Sequence, residues 1–219
     1  MAKIYIDDII NKVRALHQST LDLDKSDISI GQFLALQAQQ ILQAHQDGNV
    51  AVKFHLACWC KPLISKSTED ILQYPLTIEH TQQTIAAEHG FTNWQAVKAQ
   101  DSTAFDLAFE NCVDSMLNGD IEYVASAIAA SPSLVTQRSQ YGHKATLLHY
   151  IGANGVESYR QYTPFNAAAI TQLLIDHGAD PDADANIYGG SKPIELVLSS
   201  AHPINAGVAE SIAEVLRRR

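Results

Sequence analysis

Residues 141–183 read YGHKATLLHYIGANGVESYRQYTPFNAAAITQLLIDHGADPDA. The segment opens with a short helix start, Thr146-Leu147-Leu148-His149. A longer amphipathic helix carrying the paired Leu173 and Leu174 follows, and it ends at His177-Gly178-Ala179-Asp180 ahead of a turn. The apolar pattern recurs on either side. Val124, Ala127 and Ile128 match Ile170, Leu173 and Leu174 at an offset of 46, and these match Ile212, Val215 and Leu216 at an offset of 42. Fixed-period self-similarity of this kind predicts repeated helix pairs. The first pair is expected at Thr103 to Leu117 and Ile121 to Ala129. The third is expected at Gly190 to Leu196 and Gly207 to Arg219, joined by a loop His202-Pro203-Ile204-Asn205.

The order of Thr146-Leu147-Leu148-His149, two helices and Gly178-Ala179-Asp180 resembles an ankyrin repeat, whose pattern runs TPLH, helix, helix, GAD. Leu147 stands where that family has proline. Ankyrin units are about 33 residues long, so these carry extra residues between their helices, the longest insert lying near Gly155 to Pro164. The resemblance implies an α-solenoid of about three antiparallel helix pairs, each burying its apolar face only against its neighbours. It also implies a structural His149, hydrogen-bonded within and between turns, and protein–protein binding through a concave face and finger loops.

Residues 1–100 are expected to be a helical N-terminal domain ahead of the repeats at 101–219. Ile6, Ile9, Ile10, Val13 and Leu16 share a stripe at helical spacing within residues 1–20, and 21–27 is an acid-rich loop. A stronger helix runs from Ser29 to Gln46, stopped by Asp47-Gly48-Asn49. Another spans Val50 to Cys60 before Pro62, and Ser67 and Thr77 are N-caps of two more. The stretch LTIEHTQQTIAAEHGFTNWQAVK resembles a helical module found ahead of ankyrin repeats in bacterial proteins, through Glu-x-Gly-Phe and a Trp three residues later. Phe91 and Trp94 could wedge such a helix corner closed. At the other end Arg217, Arg218 and Arg219 suit a helix C-terminus and keep an uncapped last helix soluble.

The 219 residues are 46% hydrophobic and 18% charged, the composition of a globular chain. No apolar run is long enough for a membrane span, and the start MAKIYIDDIINK lacks the form of a signal peptide, so a cytoplasmic protein is expected. Three cysteines make no disulfide framework. The net charge of −9 is uneven. Residues 1–100 hold 8 Lys+Arg against 10 Asp+Glu, whereas 101–219 hold 7 against 14. That balance argues against a nucleic-acid ligand and favours a partner with a basic patch.

Cofactor and catalytic motifs are missing from the sequence: there is no Walker loop, G-x-G-x-x-G, G-x-S-x-G or H-E-x-x-H. His55, Cys58 and Cys60 lack a second ligand pair at zinc spacing, and Cys60 would leave the face shared by the other two. Asp180, Asp182, Asp184 and Asn186 alternate like a calcium loop, but Ala185 and Ser191 stand where glycine and glutamate are needed. Neither metal nor cofactor is therefore expected.

Two features read as interaction surface. Asp106, Glu110 and Asp114 recur every four residues as one acidic stripe, which an ordinary solvated face also explains. Tyr141, His143, Tyr159, Tyr162, Asp184, Asn186 and Tyr188 fall in the fingers and loops, where tyrosine supplies contact area with a polar tip. The expected function is non-catalytic binding of a partner protein. The alternative is an enzyme or small-ligand binder with a pocket between the two domains, and self-association through the C-terminal helix near Leu216 is a third possibility.

Overall fold

A computed structural model describes residues 3–218. The chain is mainly helical and divides into two compact units. The N-terminal unit is Asp8–Phe105, and the C-terminal unit joins Met1–Asp7 to Asp106–Arg219.

In the N-terminal unit the helices are α1 (Asp8–Leu16), α2 (Gln18–Leu21), α3 (Ile30–Gln46), α4 (Val52–Trp59), α5 (Thr68–Gln73), α6 (Ile78–Glu88) and α7 (Trp94–Lys98). Four of these starts have a local cause. Ser29 accepts from the Gln32 amide while the Gln32 side chain accepts from the Ser29 amide, which satisfies two backbone donors that the helix leaves free. Ser67 and Asn93 cap α5 and α7 in the simpler one-way form. Thr77 and His80 cap α6 together, the His80 ring nitrogen accepting from the Thr77 amide. Helix α3 stops at Gly48, whose φ of +70° suits a residue without Cβ. The apolar faces of α3, α4 and α6 meet over Phe33, Leu34, Ile41, Leu56 and Ile85, all fully buried. Burial of such a side chain is worth about 1.5–3 kcal/mol.

The beginning of the chain departs from the helix read for residues 1–20. Ile4–Tyr5 is a strand, β1, paired antiparallel with β2 (Thr163–Pro164), and helix begins only at Asp8. The alternative to helix here is tertiary: β1 gains a partner inside the insert, and the Phe165 amide donates to the Lys3 carbonyl at 2.9 Å. A strand of two residues carries no period to detect.

The C-terminal unit holds α8 (Leu107–Leu117), α9 (Ile121–Ala130), α10 (Leu147–Ile151), α11 (Ala167–Asp176), α12 (Pro193–Ser199), α13 (Ala201–Asn205) and α14 (Ala209–Arg217). Helix α8 packs on α9, α10 on α11 and α12 on α14. Between pairs, α10 touches α8 and α12, while α11 touches α9 and α14. Most of the apolar positions spaced by 46 and 42 residues face inward: Val124, Ile128, Ile170, Leu174, Ile212, Val215 and Leu216 are buried, whereas Ala127 and Leu173 are half-buried. Close approach also needs small residues. A Cβ on Gly152 would lie 2.6 Å from the Cβ of Leu196, so α10 and α12 pack backbone to backbone there. Residues 202–205, expected as a loop, form most of α13, with Ser200 as its cap.

Leu216 is only 6% exposed and packs within its own chain. The outward positions of α14 are Glu210, Ser211, Glu214 and Arg217, with Arg218 at its C-cap. Arg217 pairs with Glu210 at 2.7 Å. Leu216, the expected site of self-association, is thus part of the core of its own unit. No helix among the described residues is long and apolar enough to cross a membrane.

Candidate functional site

The insert between α10 and α11 folds back over α8 and brings one cation into an acidic setting. Arg160, 1% exposed, sits in a 3₁₀ turn at Ser158–Arg160. Its Nε donates to Asp114 Oδ1 at 2.8 Å, and its Nη1 donates to Glu157 Oε1 at 3.1 Å. Nη2 lies 2.8 Å from oxygens of both Glu110 and Asp114, close ion contacts whose angles are not those of hydrogen bonds. The rings of Tyr150 and Tyr159 lie 5.8 and 5.7 Å from the guanidinium, within cation–π range. Burial opposes the charge on Arg160, but Asp114 and Glu110 outweigh it, and the guanidinium is held charged more firmly than usual.

Glu157 is fully buried and accepts from the Tyr150 hydroxyl at 3.0 Å. Nε2 of His143 approaches its other oxygen at 3.7 Å. The Ala145 amide donates to Nδ1 of His143, so that nitrogen is unprotonated and Nε2 carries the proton toward Glu157. Burial foremost, with Glu110 and Glu157 adding to it, pushes the Tyr141 and Tyr159 phenols well up, so both stay protonated.

This arrangement corrects the surface expected from the sequence. Tyr141, His143, Tyr159, Tyr162 and Glu110 are all buried and present nothing to a partner. Asp114 is half-exposed but bound to Arg160. Asp106 caps α8 by accepting from the Phe109 amide and also accepts from Gln137 at 2.6 Å. Of the acidic stripe, Glu110 and Asp114 face the insert and hold Arg160, whereas Asp106 serves the start of α8.

Asp184, Asn186 and Tyr188 do reach the surface, and Tyr188 is 61% exposed. Their loop is fastened from below. Arg138 donates to the carbonyls of both Lys144 and Asp184, and the Asn186 amide and side chain donate to the carbonyls of His143 and Gly142. The Tyr188 hydroxyl donates to Asn154 at 2.9 Å, and its φ of +51° is a conformation that side chains other than glycine and asparagine seldom adopt. Asp182 is paired with Lys192 at 3.0 Å, which leaves the Asp184 carboxylate as the outward anion of the loop.

No family model, no curated protein and no solved structure matches this chain.

His149 joins one helix pair to the next. The Thr146 amide donates to its Nδ1, so Nε2 carries the proton and donates to the Ser191 carbonyl at 3.2 Å. Burial lowers its pKa to about 4, so the ring stays neutral.

A second buried chain of side chains lies in the N-terminal unit. His55 Nδ1 faces Glu88 at 2.6 Å, and the Nε2 atoms of His55 and His17 are 3.1 Å apart. His17 continues through Nδ1 to Gln40 at 2.9 Å, and Gln40 donates to Ser19. Burial, with His55 beside it, holds the His17 pKa down at about 3. The sequence reading set His55 beside Cys58 and missed this relay, whose members are 33 and 38 residues from His55. No group of three or more metal-ligating side chains is placed to hold an ion among the described residues.

Proposed function

We propose that the C-terminal unit is a protein-binding module of ankyrin-like stacked helix pairs, acting without chemistry of its own. The observation that carries this reading is the 61% exposed Tyr188, set beside Asp184 and Asn186 on a loop tied to its neighbour by four hydrogen bonds. A large ring held on a fixed backbone makes contact with little loss of conformational freedom. Asp184 beside it suits a partner carrying Lys or Arg. The helix neighbours α8–α10–α12 and α9–α11–α14 support the repeat reading, as does a Thr146–His149 cap that also reaches the next pair. The charged and phenolic groups around Arg160 engage one another beneath the surface, which fits a scaffold.

The test is capture of partners from a lysate of the source organism on wild type, Tyr188→Asn and Asp184→Lys. Asparagine tolerates positive φ, so the first variant removes the ring and its bond to Asn154 while the other three hydrogen bonds of the loop remain. One protein retained by the wild type, weakened by added salt and lost from both folded variants supports the reading. Identical retention by all three removes this face from consideration.

A further inference from the structure

We infer that the N-terminal unit binds a flat aromatic carboxylate in the cavity between Trp59 and Phe91. The cavity measures about 380 Å³, within the range of small-molecule sites. Its place follows from how α6 is used. Thr81, Thr84, Ile85 and Glu88 turn into the core, which leaves Glu79, Gln83 and Ala87 on the opposite side as one wall. The end of α4 and the 3₁₀ turn behind it supply Trp59, Lys61 and Pro62, and the turn after α6 supplies Phe91.

The chemistry of that lining selects the ligand. Trp59, Phe91, Pro62 and the methyl of Ala87 make it mainly apolar, and two half-exposed rings favour a flat, stackable body. Ala87 is also the position where a larger side chain would fill the space. Lys61 is the one Lys or Arg of the lining, which also holds His80, and Lys61 has no hydrogen-bond or ion-pair partner among the described residues. Glu79, the one anion, lies in the first turn of α6, where the helix N-terminus favours a negative charge, and the Thr77 side chain holds its carboxyl below the usual range, so it stays ionised. The helix N-terminus meets the charge of Glu79 and no described residue meets that of Lys61, so the ring should carry a carboxylate. Gln83 offers a further amide to it.

The chain has two tryptophans, Trp59 in the cavity and the buried Trp94, so fluorine NMR of 5-fluorotryptophan-labelled protein reads the site directly. Trp59→Phe assigns the signals, and the probes are 2-naphthoate and 2-naphthylmethylammonium. The expected result is a saturable shift of the Trp59 signal alone, with 2-naphthoate binding more tightly than the ammonium. Lys61→Gln should weaken 2-naphthoate about threefold to fivefold, as for an exposed charge pair, and leave the ammonium unchanged. Ala87→Leu, on the outer side of α6 and friendly to helix, should abolish the shift while circular dichroism stays that of the wild type. The inference fails if 2-naphthoate gives no saturable shift at millimolar concentration. It fails equally if the cation binds as well as the carboxylate, or if Ala87→Leu binds like wild type.

Discussion

The guanidinium of Arg160 lies 2.8 Å from the carboxylate of Glu110, and the two side chains are 1% and 3% exposed. An ion pair this deep is costly to break from one side, because the remaining charge stays buried without its counter-ion. Arg160→Met should therefore destabilise the protein by about 3–5 kcal/mol, and the pair Arg160→Met with Glu110→Met by less than the sum of the single changes. Urea unfolding of the four proteins measures this. Strict additivity would mean that the two residues do not act as a pair.

Stability should rise with pH across the range in which His17 and His149 are neutral only in the folded state. Their folded values of about 3 and about 4 lie below the ordinary 6.5, so the unfolded chain binds more protons between those limits. The contribution is complete above about pH 6.5 and is lost as pH falls, at up to about 1.4 kcal/mol per pH unit for each histidine. Urea midpoints measured from pH 7.5 down to 4.5 should fall. His17→Gln should flatten the slope, and an unchanged slope would show that His17 titrates normally.

Gly152 and Gly178 should respond differently to alanine. Gly152 has an ordinary helical φ, but its Cβ would meet Leu196, so Gly152→Ala separates α10 from α12 and should cost about 1–3 kcal/mol. Gly178 sits at φ +95° in open space, so Gly178→Ala should cost about 1 kcal/mol through backbone strain alone. Thermal unfolding checks both. A neutral Gly152→Ala would contradict the close helix approach.

Thiol chemistry should single out one cysteine. Cys58 is exposed, whereas Cys60 and Cys112 are buried, and burial pushes the Cys112 thiol up to about 11. An aromatic disulfide reagent should modify Cys58 first, with Cys112 reacting only after denaturant is added. Peptide mapping identifies the sites.

What the sequence disclosed was mostly local. The helix read from Ser29 to Gln46 is observed from Ile30, with Ser29 as its cap, and the one read from Ile121 to Ala129 runs one residue further. Apolar stripes and capping side chains act within a turn or two, so they leave a mark in adjacent residues. The Arg160 cluster leaves none. Asp106, Glu110 and Asp114 look the same whether they face water or a cation, and that cation arrives from a loop 46 residues beyond Asp114. Its one advance sign was that Arg160 is among few cations in an acidic half of the chain. Tyr159 and Tyr162 were misplaced for the same reason, since an insert read as projecting instead closes over α8. Tyr188 is exposed as expected, because its turn is short and local.

The pairing of Ile4–Tyr5 with Thr163–Pro164 has a consequence for biosynthesis. In a chain made from its N-terminal end β1 precedes its partner strand by more than 150 residues, so it has no strand to join until those residues have emerged. In the interval Asp8–Phe105 has all of its own helices and can close. Strand β1 is thus made before Asp8–Phe105 yet settles after it, because its partner arrives only with the insert.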